Sequence, residues 1–340
     1  MKIIDFLSLI YDIFYSKKEI DLQSIENKGL LAVKIAQHFA LRADFLNSDT
    51  CIRLMNLFRK NSAQNPEQIY DLISKYTQPD WLSKFKYFKD EPLAAASVGQ
   101  VHYGELETGE KVAVKIIKPI KIEEFKSDIK RLKKFFRFIS FFYPKIKKVF
   151  DPIGVLEYIN EYTLQEVNLL NELEGRNILY DISQKFSKEY DFSFLAFHKV
   201  FPDFSNESVL VTEFIEGKSF DELMELGRLD YEWILRLFQI HGFYLFSQGV
   251  FHGDIHPGNI FLWNDKIYFV DTGAITSIDS KLRIGLFRFF EALSRYDYSQ
   301  CVEFLNNMSQ KKLNDKQLLK FKKKFFELYS DFENKTVGEV

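Results

Sequence analysis

Three side chains between residues 252 and 273 can serve a hard cation and a reacting hydroxyl. Residues 252–259 read His-Gly-Asp-Ile-His-Pro-Gly-Asn, and residues 270–273 read Val-Asp-Thr-Gly. Asp254 and Asn259 stand five apart, and Asp271 follows two short apolar runs. Carboxylate and amide oxygens are hard ligands suited to Mg²⁺. Phosphoryl transfer needs such a set: one carboxylate at the attacking oxygen and two oxygen ligands that hold Mg²⁺ against nucleotide phosphates. A polar turn between two strands would explain neither this spacing nor three cation-competent groups.

Local pattern predicts how these groups are held. Gly249 follows an apolar-periodic run (Ile234, Leu237, Phe238, His241, Leu245) and is expected at a helix C-terminus. Ile260–Trp263 and Lys266–Val270 read as strands around a turn at Asn264-Asp265. That hairpin would return Asp271 towards Asn259. The spacing Asp, then Asn, then Asp-x-Gly is also that of the protein-kinase catalytic loop and metal-binding aspartate.

A second set of residues suits a nucleotide. In Lys111-Val-Ala-Val-Lys115, side chains alternate faces, so Ala113 and Lys115 share one face while Val112 and Val114 take the other. A small Ala113 leaves room for a flat base, and Lys115 reaches phosphates from the same surface. Upstream, Ala94, Ala95, Ala96, Ser97, Val98 and Gly99 occupy the place of a glycine-rich loop, and their methyl groups restrict how backbone approaches phosphates. Glu166, Asn168 and Glu172 lie in a helical stretch, with Asn168 and Glu172 four apart on one face. Glu172 is the expected partner of Lys115, whereas Glu166 points elsewhere. Thr212–Gly217 reads as a hinge in which Glu213 and Ile215 offer backbone groups to an adenine edge.

The remaining chain bounds the fold. It has 340 residues, 46% of them hydrophobic, enough for one large or two ordinary domains. A formal net charge of −2 argues against a nucleic-acid partner. Cys51 and Cys301 are too far apart for a metal or disulfide motif, which points to a reducing compartment. No apolar run is long enough to span a membrane. Residues 2–16 are amphipathic, with Asp5, Ser8 and Asp12 opposite Ile3, Phe6, Leu7, Ile10, Ile13 and Phe14. Acids interrupt this stretch and no small-residue cleavage site follows, so it is not read as a signal peptide. Residues 130–148 interleave Lys and Arg with Phe, a composition that suits an anionic lipid interface. Residues 1–90 read mainly as helices and residues 91–118 as strands about a Thr108-Gly109 turn. Residues 120–195 read as helices, Ser208–Ile215 as a strand and residues 280–340 as helices. Ser219 with Glu222 makes a capping box for the helix after the hinge.

With these pieces in order, the chain resembles the UbiB family of atypical kinase-like proteins linked to quinone biosynthesis. The Ala-Ala-Ala-Ser-Val-Gly-Gln-Val-His stretch before Val-Ala-Val-Lys looks like that family's replacement for the glycine loop. Lys34-Ile-Ala-Gln37, followed by Ala40-Leu-Arg-Ala-Asp44, is similar to its K-x-G-Q helix. Glu166-Val-Asn168 resembles its E-x-D element. Two departures stand out: Ala36 replaces the glycine of K-x-G-Q, and Asn168 replaces the aspartate of E-x-D.

The resemblance implies an α+β, bilobal, protein-kinase-like fold with an N-terminal helical extension. Residues 1–90 would form that extension, 91–216 a small nucleotide-binding lobe and 217–340 a mostly helical catalytic lobe. Lys34 and Gln37 would sit on one helix face over the cleft, with Lys34 near Glu166, occluding protein substrates. Lys115, oriented by Glu172, would contact phosphates of ATP or ADP, and Asn259 and Asp271 would bind Mg²⁺. Asp254 would be either a base or a water-positioning group. The implied activity is an ATPase or small-molecule phosphotransfer supporting isoprenoid-quinone metabolism. A lipid or quinone-precursor ligand, quinone-biosynthesis proteins and a peripheral membrane surface would be its partners, with a cytoplasmic location. Two rivals stand beside this reading: an aminoglycoside-phosphotransferase-like kinase, which shares His-Gly-Asp-x-His-Pro-Gly-Asn, and a nucleotide-gated scaffold with negligible catalysis.

Overall fold

The computed structural model describes residues 1–16, 19–42, 46–59, 64–142 and 151–329. Asp44, Lys145, Lys147 and Lys148 of the motifs above lie outside the described residues. The helices are α1 (Ile3–Phe14), α2 (Leu22–Asn27), α3 (Leu30–Ala40), α4 (Ser48–Arg59), α5 (Pro66–Tyr76), α6 (Ile122–Phe142), α7 (Pro152–Glu166), α8 (Leu170–Lys185), α9 (Phe220–Glu225), α10 (Tyr231–Gly242), α11 (Ser280–Ser294), α12 (Tyr298–Met308) and α13 (Asp315–Tyr329). The strands are β1 (Phe85–Phe88), β2 (Ala94–Ala95), β3 (Gly99–Leu106), β4 (Lys111–Ile117), β5 (Leu195–Ala196), β6 (Val209–Glu213), β7 (Lys218–Ser219), β8 (Val250–His252), β9 (Ile260–Trp263), β10 (Lys266–Phe269) and β11 (Ile275–Ser277). The chain folds into two compact units. One comprises Met1–Tyr180, Ala196–Leu226 and His256–Ala274, and the other the remaining segments.

In the first unit an antiparallel sheet runs in the order β1-β3-β4-β6, with β2 on the free end of β3. Val112, Val114 and Ile116 alternate into a core with Val209 and Val211 of β6 and are fully buried. Each such side chain contributes about 1.5–3 kcal/mol on burial, which fixes the register and sends Ala113 and Lys115 to the opposite face. β1 is a strand where the reading of residues 1–90 expected helices. Its Phe-Lys-Tyr-Phe run favours a pleated surface, and Phe85 packs into the same core.

The N-terminal helices build a second core. α1 buries Phe6, Leu9 and Ile13, and α3 buries almost every side chain, with small Ala32, Ala36 and Ala40 recurring every fourth residue. Phe125, Ile129 and Leu132 of α6 and Leu156 and Ile159 of α7 complete that core. Residues 2–16 therefore dock intramolecularly through one face. Leu7, expected on that face, is exposed, as are Ile4, Tyr11 and Tyr15.

The β9–β10 hairpin also belongs to this unit. Trp263 pairs with Lys266, and the intervening Asn264 and Asp265 take φ of 48° and 54°, the left-handed pair that suits a two-residue hairpin. β7 adds to β9. At the start of α9, Ser219 and Glu222 form the reciprocal capping box.

In the second unit α10 continues through a π-helical turn, Phe243–Gln248, to Gly249 at φ 70°, a left-handed cap. The helix buries Leu237, Ile240 and Tyr244 rather than the expected stripe through Phe238, which is 70% exposed. Two overlapping apolar stripes exist in this sequence, and packing selects the one that includes Tyr244. β8 pairs with β11, and α11, α12 and α13 share a core of Ala292, Cys301, Val302 and Phe325. Cys51 and Cys301 are both buried and not joined in a disulfide. Among the described residues, no helix is long and apolar enough to cross a membrane.

Candidate functional site

Lys115, on the open face of β4, ion-pairs with Glu172 in the first turn of α8. Its ammonium lies 3.0 Å from Asp271 Oδ2 as well. Fold contacts lock this triangle. The Thr272 hydroxyl donates to the Glu172 carbonyl at 2.6 Å, and the Gly273 N–H donates to Asp271 Oδ1 at 3.1 Å. A methyl at Gly273 would sit 3.2 Å from Glu172 Cγ, so a larger residue would press on the pair. Thus Val-Asp-Thr-Gly supplies the carboxylate and holds the helix that supplies its neighbour.

A second ion pair stands beside the first. Lys34 of α3, 5% exposed, pairs with Glu166 at the end of α7, and its ammonium also lies over the Tyr162 ring at 5.6 Å. Gln37 turns instead to the Leu57 carbonyl, donating at 2.8 Å, which ties α3 to α4. Asn168 caps the start of α8, accepting the Leu170 N–H at 3.1 Å. An aspartate could do the same, so the Asn168 departure keeps the local fold while removing a charge.

Electrostatics couple the two pairs. Burial opposes the Lys115 charge, but Asp271 and Glu172 outweigh it and raise its pKa. Burial, reinforced by Asp271, pushes Glu172 upwards, and Lys115 only partly offsets this. Glu166 is likewise raised by burial, with Lys34 working against the shift. Two lysines therefore face three carboxylates: Glu166, Glu172 and Asp271.

Asn259 and Asp271 flank the open end of the β9–β10 hairpin. The Asn259 carbonyl accepts the Val270 N–H at 3.0 Å, and the Asn259 N–H donates to the His256 carbonyl at 2.8 Å. Among the described residues, no group of three or more His, Cys, Asp or Glu is arranged to hold a metal ion by itself. Asp271, 38% exposed, directs Oδ2 to Lys115 and accepts the Gly273 N–H on Oδ1.

The alanine-rich stretch forms a tight hairpin. Ala94 and Ala95 of β2 pair with Val101 and Gln100 of β3, and the Ala96 N–H donates to the Gly99 carbonyl at 2.9 Å, so Ser97 and Val98 are the turn. Two buried polar residues lie behind it, and their contacts were not legible in the sequence. Gln100 accepts the Gln64 N–H at 2.8 Å and donates to His102 Nε2 at 2.8 Å, and His102 Nδ1 donates to the Lys89 carbonyl at 2.9 Å. At the hinge, the Glu213 N–H is already spent on the Lys199 carbonyl at 2.8 Å, while Ile215 is buried. Gly217 is required by close approach: a Cβ there would meet Trp263 Cβ at 2.8 Å.

Asp254 belongs to the second unit, on the loop after β8. Its N–H donates to His252 Nδ1 at 3.2 Å, and the His252 N–H donates to His241 Nε2 at 3.3 Å. His241, eleven residues upstream on α10, carried no sequence signal for this role.

An antiparallel sheet whose open face carries a lysine paired to a helix glutamate, and a hairpin followed by Asp-x-Gly, define a protein-kinase-like α+β fold preceded by N-terminal helices. Residues 57–305 match the ABC1 atypical kinase-like domain, and the chain belongs to that family. A Drosophila melanogaster protein named AarF domain-containing kinase 1 is 28% identical over 283 residues, 80% of this chain and 50% of its own length. A Blochmanniella pennsylvanica protein named probable protein kinase UbiB is 32% identical over 228 residues, 64% of this chain and 40% of its own. The chain spans about half the length of the curated relatives it matches. The solved complex of Rv3197 with erythromycin from Mycobacterium tuberculosis superposes on 97% of this chain and 75% of its own with a TM-score of 0.53, at 20% identity, a likeness of fold.

Proposed function

We propose that this chain binds Mg²⁺–ATP and acts as an ATPase or small-molecule phosphotransferase in isoprenoid-quinone metabolism at a membrane surface. The observation that carries this reading is the Lys115 ammonium held between Glu172 and Asp271. Such a lysine is placed to meet phosphates, and such an aspartate to ligate their cation. Asn259 and Asp271 would hold Mg²⁺, which when bound neutralises phosphate charge. Lys115 orients the phosphates, Glu172 orients Lys115, and Ala113 lies beneath the base. The carbonyl of Glu213 and the backbone of Ile215 read the adenine edge, and the hairpin Ala94–Val98 covers the phosphates. Asp254 serves the acceptor hydroxyl or water, an assignment supported by the His252–Asn259 motif spacing. The Lys34–Glu166 pair, with Gln37 bracing α3 on α4, supports a leader helix lying against this site and disfavouring protein substrates. The quinone link follows from the resemblance to the UbiB family, a name that several relatives carry.

The test is Mg²⁺-dependent thermal stabilisation by ATP and ADP, measured beside steady-state hydrolysis. Asp271→Asn should abolish both, because the carboxylate that faces the cation is lost. Wild-type affinity and turnover in that variant would overturn the assignment. Stabilisation without turnover in the wild-type protein would favour the scaffold reading.

A further inference from the structure

Lys118, one residue beyond β4, is a lysine at the end of an apolar strand, a position that ordinarily points to solvent. Here it is 8% exposed. Its backbone N–H donates to the Val98 carbonyl at 2.9 Å. Its ammonium reaches the Ala96 carbonyl at 2.5 Å. One residue thus grips the Ser97–Val98 turn from both sides. The base of the same hairpin is fixed independently by the neutral Gln100–His102 relay. Beside the turn lies a cavity of about 450 Å³ lined by Ser97, Gln64 and Lys118. The charged groups lining it with Lys118 are Glu26 on α2, Lys28 after it, Lys121, Glu124 and Asp128 on α6, and the Met1 N-terminal ammonium, which ion-pairs with Asp128.

We propose that Lys118 is a positioning residue whose ammonium holds the alanine-rich turn closed and so regulates how that turn meets a nucleotide. The nucleotide consequence rests on the proposed function, whereas the hold on the turn does not. Burial, partly offset by Glu26, lowers Lys118 to about 8, so its proton is lost in mildly alkaline solution. A neutral amine is a much weaker donor than an ammonium.

Amide hydrogen exchange at Ala96, expressed as a protection factor, reads the turn directly through its bond to Gly99. Protection in the wild-type chain should fall about tenfold as pH rises through 8, the size expected when a charge-assisted hydrogen bond is lost. Lys118→Met should show the low value at every pH, and Lys118→Arg, which keeps its charge, the high value throughout. Unfolding is separable by sign. Between about 8 and the ordinary 10.5, the unfolded chain keeps a proton that the folded lysine has lost, so Lys118's contribution to global stability rises with pH. Protection across β4 should therefore hold while Ala96 opens. A flat wild-type profile, or a folded Lys118→Met chain as protected as wild type at neutral pH, would overturn the proposal. Should Lys118→Met fail to fold, the wild-type pH series decides alone. Affinity for Mg²⁺–ATP in the same variants tests the link to nucleotide. If the wild-type chain binds none, the functional reading fails while the exchange data still judge the turn.

Discussion

Replacing Lys115 by Met removes the cation from a triangle with two carboxylates. Glu172 is 8% exposed and Lys115 18%, while Asp271 is 38% exposed. Breaking a buried pair from one side costs about 3–5 kcal/mol. Solvent screening at Asp271 lowers the expectation for Lys115→Met to about 2–4 kcal/mol. Glu172→Gln should cost less, about 1–2 kcal/mol, because Lys115 keeps Asp271 as a partner. The double variant should be more stable than the sum predicts by at least about 1 kcal/mol, since the glutamate stranded by the first change is gone. The pH dependence has a definite sign. Burial and Asp271 already raise Glu172 above its ordinary 4.5, and loss of Lys115 raises it further. A carboxyl raised in the folded state holds its proton longer there than in the unfolded chain, so stability is gained as pH falls through the folded value. The Lys115→Met deficit should thus be largest near neutral pH and shrink on acidification. Urea denaturation of the four proteins at several pH values, comparing midpoints at constant slope, provides the measurement. Additive losses, or a deficit independent of pH, would refute the coupled triangle.

Three further outcomes are expected. Burial, with a smaller contribution from Arg176, lowers His198 from 6.5 to about 4, so stability is full above 6.5 and is lost as pH falls towards 4. The span amounts to about 3 kcal/mol, and His198→Gln should flatten that slope in denaturation series; an unchanged slope would remove His198 as the cause. Ala96→Gly should loosen the turn and change the ratio of ATP to ADP affinity, and unchanged binding of both nucleotides in calorimetry would leave the alanines a packing role. Exposed Phe138, Phe141 and Phe142 stand beside exposed Lys130, Lys134 and Arg137 on α6, and the outer face of α1 shows Ile4, Leu7, Tyr11 and Tyr15. Flotation with cardiolipin-containing vesicles should recover the protein at low salt and lose it on Phe141→Glu with Phe142→Glu, whereas full recovery in the soluble fraction would end the membrane reading.

Local pattern was a good guide wherever the physics is local. The Asn264-Asp265 turn, the Ser219–Glu222 cap and the β3–β4 pairing each follow from residues within one or two turns of chain. The kinase-like fold class followed from motif order. Less legible were features set by long-range packing. Gln100, His102 and Lys118 look like ordinary strand polar residues, and only the fold shows that their bonds close on the backbone at Gln64, Lys89 and Ala96. On α10 two apolar stripes compete, and the sequence does not say which one faces the core. Leu7 was misjudged for a related reason. An apolar arc on α1 is wider than the surface that α3 and α6 offer it, so part of the arc stays in water.

The triangle also suggests why one lysine should have two carboxylates. With Asp271 alone, Lys115 would lose its partner whenever that oxygen ligated a cation, and a lysine on a flexible stem would be free to wander. With Glu172 alone, Lys115 could not respond to the state of Asp271. Because Glu172 is anchored through the Thr272 hydroxyl on the same Asp-Thr-Gly turn, Lys115 can give up Asp271 Oδ2 and keep a fixed position. Under the proposed function, phosphates arriving with Mg²⁺ would then meet a lysine already aimed. The leader extends this logic, because Glu166 senses both Asp271 and Lys115 electrostatically while paired to Lys34 of α3. Any change in the charge borne by Asp271 alters the field at Glu166, and so the strength with which α3 is held. Lys34→Met should therefore alter Mg²⁺–nucleotide affinity without touching the ligand, and in the absence of nucleotide its cost in urea denaturation should be non-additive with that of Asp271→Asn, whereas additive costs would refute the linkage.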